Sequence, residues 1–234
     1  MTDSILESIN NFLIEIRYSP NAKILDYRGT WAETVSKHME LNEWQIQENR
    51  FDIYDKQNIR RFFVSYRNAG AQIRNCTTRN HFPDQVNKFL RYVFDQKAFG
   101  STLFVERFGV RARFGTAFNG TYEELLQRYT TKFITINPDA QKLINGKIVD
   151  VGAPIDFSTS IGNIKSTSGP MPKKQLQSVF NNEDNLPDVA LFFDFDYWVR
   201  PNTTLTDKEI LSKTKLFSGE VWDLNEKLSS LILK

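Results

Sequence analysis

Apolar and polar side chains alternate through the middle of the chain, most regularly from Phe108 to Phe114, within a longer stretch from Thr102 to Phe118 that reads as extended. Phe104, Phe108, Val110, Ala112 and Phe114 alternate with Val105, Arg107, Gly109, Arg111 and Arg113. Successive side chains of a strand point to opposite faces, so the pattern predicts one long strand with an apolar face and a face carrying three arginines. Gly109 is where a strand of this length is expected to bulge or bend.

The same period of two marks a first strand at Phe12–Tyr18, ended by Ser19-Pro20-Asn21. It also marks extended segments around Trp44 and Ile46 and around Phe51 and Ile53, a strand at Arg60–Tyr66 and a late strand at Asp188–Val199. Asn68-Ala-Gly70 is expected to be a turn, with Ala71–Thr77 returning as the hairpin partner. Helical spacing appears at Thr30–Leu41, with a capping box from Thr30 and Glu33. It appears again from Pro83 to near Gly100, with Val86, Phe89, Leu90, Val93 and Phe94 as its buried stripe. Tyr122–Phe133 and a short segment capped by Asn137 complete the middle helices. Lys147–Phe157 is expected to be extended and Ser158–Pro172 a loop or loose hairpin. A last helix starts at a Thr206/Glu209 capping box. Its apolar seam runs through Ile210, Thr214, Phe217, Val221, Leu224, Leu228 and Leu231, with Gly219 off the seam.

These elements predict a single α+β domain over residues 1–234, with 119–146 as the place where a subdivision would fall. The sheet is expected to be twisted and mainly antiparallel, with helices packed on one face and a long C-terminal helix. No internal repeat of fixed period is visible. Forty per cent hydrophobic residues, nineteen of the side chains Phe, suffice to fill its core. No run reaches the about 18 apolar residues of a membrane span, and the N-terminus lacks a basic, signal-type start, so a cytoplasmic protein is expected. One cysteine excludes an internal disulfide, and with two histidines it argues against structural zinc.

The net charge of +2 is uninformative, but its distribution is not. Residues 50–113 carry ten Arg and three Lys against four Asp and one Glu, whereas residues 181–234 carry six basic and ten acidic residues. An arginine-rich middle and an acidic end imply a docking face, internal or external.

Three segments carry a resemblance: Ile16-Arg17-Tyr18-Ser19-Pro20, Phe108-Gly109-Val110-Arg111-Ala112-Arg113-Phe114, and Phe193-Asp194-Phe195-Asp196-Tyr197 before the last helix. In this order they resemble a sporadically distributed bacterial family of proteins of about 250 residues without an assigned activity, a size that fits one large domain or two small ones. The central strand departs from the family's usual arginine-tyrosine-Ile-Asn ending. The resemblance implies a fold shape and no mechanism.

Candidate chemistry is sparse. Asp194 and Asp196 share one strand face, which suits either a divalent metal or pairing with Arg111 and Arg113; pairing is expected, because no third ligand is evident. His81 before a helix is a candidate acid or base but is expected to be a surface residue, as is His38. Cys76 is expected to be buried. Ser166-Thr-Ser-Gly-Pro170 after Lys165 is a candidate phosphate cradle, with a surface loop the expected outcome. The expected role is therefore a non-catalytic binding or assembly module without cofactor. Arg60, Arg67, Arg74, Arg107, Arg111 and Arg113 are its candidate stripe for a nucleic acid, a nucleotide or an acidic partner, since guanidinium matches phosphate bidentately. Val221, Leu224, Leu228 and Leu231 are the candidate interface with a partner chain or second copy. The alternative is a metal-dependent phosphodiester-cleaving enzyme using Asp194 and Asp196.

Overall fold

The computed structural model describes residues 8–95, 102–180 and 185–234, with the backbone alone for Ala140. The chain runs β1 (Ser8–Tyr18), α1 (Lys23–Met39), β2 (Glu43–Ile46), β3 (Arg50–Tyr54), β4 (Arg60–Ser65), β5 (Asn68–Arg74) and α2 (His81–Phe94). It continues as β6 (Thr102–Ala117), α3 (Tyr122–Lys132), α4 (Pro138–Ile144), β7 (Ala153–Ser158), β8 (Asn163–Pro172), α5 (Lys173–Val179), β9 (Val189–Val199), β10 (Thr203–Thr206) and α6 (Asp207–Leu233). The fold is α+β. All strands among the described residues join one antiparallel ten-stranded sheet of order β2-β3-β4-β5-β1-β6-β9-β8-β7, with β10 pairing on β6 beyond the end of β9.

This order is a duplication of plan. In each half a long strand leads into a helix, an antiparallel meander returns to lie beside that long strand, and a closing helix follows. β1 is flanked by β5 at the end of its meander, and β6 by β9. The two long strands pair with each other at the centre, from Ser8 opposite Thr116 to Arg17 opposite Arg107.

One face of the sheet is covered by α1, α2, α3 and α6. The alternating residues Phe12, Ile14 and Ile16 of β1, Phe108, Val110, Ala112 and Phe114 of β6, and Phe193, Phe195 and Tyr197 of β9 supply the sheet side of a single core. Val86, Phe89, Leu90 and Val93 of α2 and Ile210, Phe217, Val221 and Ile232 of α6 close it. α6 starts at the expected capping box: Thr206 accepts from the Glu209 amide and the Glu209 carboxylate accepts from Thr206. Asn137 caps α4 as expected, and Thr121 with Glu124 adds a capping box for α3.

Several elements depart from their expected bounds for identifiable reasons. α1 begins at Lys23; Thr30 lies inside it, so no capping box forms there. Asn68-Ala-Gly70 is strand, because the hairpin turns one step earlier, at Tyr66-Arg67. Gly70 is needed for close approach: a Cβ there would stand 2.1 Å from the Ile14 carbonyl oxygen and 2.7 Å from the Phe63 ring. The bulge of β6 falls between its pairings to Arg17 and Tyr18, at Glu106 and not at Gly109. That extra residue reverses the parity, so Val105 enters the core and Phe104 is exposed. Ser166-Thr-Ser-Gly-Pro170 is strand within β8, with Ser166 and Ser168 buried and Ser168 bonded to the Tyr129 hydroxyl, so it forms no phosphate-cradling loop. α2 starts at His81, and its end, expected near Gly100, lies outside the described residues.

The stripe of α6 also drifts. Beyond Val221 the buried positions are Asn225, Ser229 and Ile232, the 3.6-residue period of a helix on a sheet, not the 3.5 of a coiled-coil seam. Ser229 meets the Thr116 hydroxyl of β6 at 3.4 Å. Gly219 is buried where the Arg79 guanidinium lies along the helix, donating to the Gly219 carbonyl and to Asp223.

Candidate anion-binding face

The second face of the sheet is open over most of its width. α5 covers one end of it, where Leu176 and Phe180 pack on Phe192, Ala190, Ile9 and Met171. On β6 this face carries Arg107, Gly109, Arg111 and Arg113. Cross-strand register sets Arg111 between Leu13 of β1 and Asp196 of β9, and Arg113 between Asn11 and Asp194.

The arginines do not simply face their opposite neighbours. Arg111 takes Asp194 diagonally and bidentately, with Nε at 2.8 Å and Nη2 at 2.6 Å, while Arg113 Nε donates to the same carboxylate at 3.2 Å. The hydrogen bond to Asp194 raises the Arg111 pKa above its ordinary value, against the opposing effect of burial. Arg107 Nη2 donates to both oxygens of Asp196 at 3.1 and 3.2 Å, and its Nη1 reaches Glu15 at 3.4 Å. Glu15 also accepts from Arg17 Nε at 2.9 Å and from Asn68 at 2.8 Å. Gly109 makes this possible, because a Cβ there would lie 3.2 Å from Arg107 Nη1. The result is a ladder of alternating charge across β1, β6 and β9. Beside it, Trp198 has Arg107 and Arg200 at 5.9 and 5.4 Å from its ring.

A second cluster sits on the same face of β3 and β4. Asp52 is fully buried and accepts from Arg50 Nε at 2.8 Å, Arg61 Nε at 2.9 Å and Gln47 at 3.4 Å. The Arg50 guanidinium lies over the Phe63 ring at 4.8 Å.

Of the six arginines expected in one stripe, Arg107, Arg111 and Arg113 share the ladder. Arg74 is on the same face of β5 but turns back onto the Gln57 and Asn58 carbonyls at 2.8 Å. Arg60 falls on the opposite side of β4 from Arg61 and pairs with Asp55 at 3.3 Å; Arg67 sits in the turn over the Tyr66 ring. Both leave the stripe because the period of two admits Arg61 and excludes Arg60, and because a turn residue belongs to neither face. Glu15 with Arg17, and Asp52 with Arg50 and Arg61, were the functional candidates that pattern reading passed over. Their signal was present in the polar positions between Phe12, Ile14 and Ile16 and between Phe51 and Ile53.

Asp194 and Asp196 are engaged by guanidinium groups, and among the described residues no group of three or more His, Cys, Asp or Glu gathers to hold a metal. His81 Nδ1 lies 3.4 Å from the Thr77 amide at the start of α2, and His38 stacks on Tyr92 at 4.2 Å. Cys76 is buried, its backbone bridged by Asn10, and burial pushes its thiol up to about 12. On α6, Val221 is in the core, Leu224 and Leu228 pack partly against it, and Leu231 is 54% exposed. No helix among the described residues is long and apolar enough to cross a membrane. No protein-family model matches the chain, and no curated protein matches it.

Proposed function

We propose that the chain is a non-catalytic binding module of the bacterial cytoplasm whose open sheet face takes an extended polyanion, either a nucleic acid or an acidic protein segment. The observation that supports this is an imbalance inside the ion-pair clusters. Six guanidiniums, of Arg17, Arg50, Arg61, Arg107, Arg111 and Arg113, share four carboxylates, of Glu15, Asp52, Asp194 and Asp196. Arg61 and Arg113 use only Nε, so their Nη donors have no acceptor among the described residues. The carboxylates hold the guanidiniums in place, and the surplus donors are left for an incoming anion. On α6, Leu231 alone of the four candidate interface residues is largely exposed, so the sheet face and not that helix carries the reading.

Fluorescence anisotropy with labelled single-stranded and duplex oligonucleotides and with polyglutamate tests it. Binding to one of these at low salt, falling steeply as salt rises and weakened by Arg111→Gln with Arg113→Gln, is the expected result, and the probe that binds identifies the source. No binding to any of them at low salt overturns the reading.

A further inference from the structure

β7 is an edge of the ten-stranded sheet, and from Pro154 to Ser158 every residue is exposed. Its backbone groups have a definite phase. The Thr159 amide donates to the Gly162 carbonyl at 2.8 Å and closes the hairpin to β8. Bonded and non-bonded pairs alternate along an antiparallel ladder, so Phe157, Ile155 and Ala153 turn their backbone groups to β8, while Asp156 and Ser158 turn theirs outward. Pro154 also faces outward but has no N–H, which confines any further pairing to the Asp156–Ser158 end.

This edge is also where apolar surface is left uncovered. Ile155 and Phe157 lie on the helix side of the sheet and are 37% and 40% exposed. Leu143, Ile144, Val149 and Ile161, from the neighbouring stretches of chain, are exposed as well, so six of the large exposed apolar side chains fall within residues 143–161. An exposed strand edge flanked by apolar side chains is a template for another strand.

We infer that β7 pairs antiparallel with β7 of a second copy of this chain, with Phe157 opposite its own symmetry mate. In that register Asp156 faces Ser158 of the second copy, giving two reciprocal pairs of backbone hydrogen bonds and keeping the two Asp156 carboxylates apart. Shifting by two residues one way would oppose Asp156 to itself and place Pro154, without its donor, opposite Ser158; shifting by two the other way would oppose Ser158 to itself and set Asp156 against Ser160, beyond the end of the strand. A two-fold axis also sets the same apolar flank of both copies against itself, so one contact covers both. The opposite edge, β2, is a four-residue strand bounded by Glu43 and Glu48, and a β7-to-β2 contact would build an open chain of copies instead of a closed pair.

The test is a cross-link. Phe157 on the axis is a non-hydrogen-bonded pair with Cα atoms about 4.5 Å apart, inside the roughly 4.4–6.8 Å that a disulfide spans. Phe157→Cys is therefore expected to oxidise to a covalent dimer, with the native Cys76 too buried to compete. Ile155→Cys, opposite Thr159 in this register, is expected to stay unlinked unless Thr159→Cys is added. In sedimentation the wild-type chain is expected to be a dimer at micromolar concentration and Phe157→Glu a monomer with an unchanged circular dichroism spectrum. A monomeric wild type, open-ended polymers, or a dimer that Phe157→Glu leaves intact each overturns the inference.

Discussion

Removal of Asp194 separates what the ladder does for the fold from the ligand binding proposed for it. Asp194→Ala deletes three charge-assisted hydrogen bonds, two from Arg111 and one from Arg113. At about 1.5–3 kcal/mol each the nominal loss is large, but solvent offsets much of it. The Arg111 side chain is 43% exposed and Arg113 31%, so both guanidiniums can rehydrate, and a fully exposed pair is worth at most about 1 kcal/mol. The Asp194 side chain, at 13%, lies between that limit and a buried pair, where removing one partner costs about 3–5 kcal/mol. We expect about 2–3 kcal/mol, and for a chain of this size a fall in Tm of roughly 5–10 °C. A double-mutant cycle by urea denaturation, with Arg111→Met and Arg113→Met, is expected to give Asp194 the larger coupling to Arg111, whose contact is bidentate and shorter. The same loss frees two guanidiniums, so Asp194→Asn is expected to tighten polyanion binding while lowering stability. A stability change under about 0.5 kcal/mol, or a larger coupling to Arg113, refutes the geometry; weaker polyanion binding by Asp194→Asn refutes the surplus-donor argument.

Gly109→Ala places a methyl group 3.2 Å from the mobile end of Arg107 and 3.3 Å from the stiff Cβ of Trp198. The overpacking is expected to cost about 1–3 kcal/mol in urea denaturation and to abolish the coupling between Arg107 and Asp196 in a double-mutant cycle, whereas an unchanged coupling means that Gly109 makes no room for the ladder. Cutting the chain between Asp95 and Thr102 and co-expressing the two pieces is expected to yield a complex that co-purifies. β1 pairs β6 across the cut and α2 packs on α6 in one shared core; pieces that fail to associate would show that the halves do not hold together through these contacts.

The elements legible in the sequence are those with strong periodicity on one strand or helix. β6 and β9 were readable because hydrophobic alternation fixes parity, and parity alone sets Arg111, Arg113, Asp194 and Asp196 on one face. What parity cannot show is a break in itself: the bulge at Glu106 moved Phe104 out of the core and Val105 in. Gly70 looked like a turn residue, since the sequence does not reveal that Ile14 and Phe63 close over it. The first turns of α1 carry a single buried residue, Ile24, and so gave too little amphipathic pattern to mark the start. α5, only seven residues long and with Leu176 its one buried residue, was hidden for the same reason. The duplication of plan was invisible because it is topological. α4 and α5 are inserted in the second half alone, which destroys any fixed spacing between equivalent elements.

That duplication explains why the charged ladder lies where it does. Among the described residues β1 and β6 form the one strand pairing between the halves, and an antiparallel pairing of two long strands leaves its open face exposed along the join. Arg107 bonds Glu15 of the first half and Asp196 of the second, so the ladder clamps the seam as well as decorating it. A clamp of this kind needs a cation that reaches an anion on each side, and the Arg107 guanidinium does so by aiming Nη1 at Glu15 and Nη2 at both oxygens of Asp196, using the spread of a planar five-donor fork that a compact ammonium lacks. Sharing carboxylates among such groups necessarily leaves donors over, most plainly at Arg113. The structural role of the arginines and the ligand-binding role proposed for them thus follow from a single arrangement: the pairs that join the centre of the sheet are also what fixes a surplus of guanidinium donors on its open face.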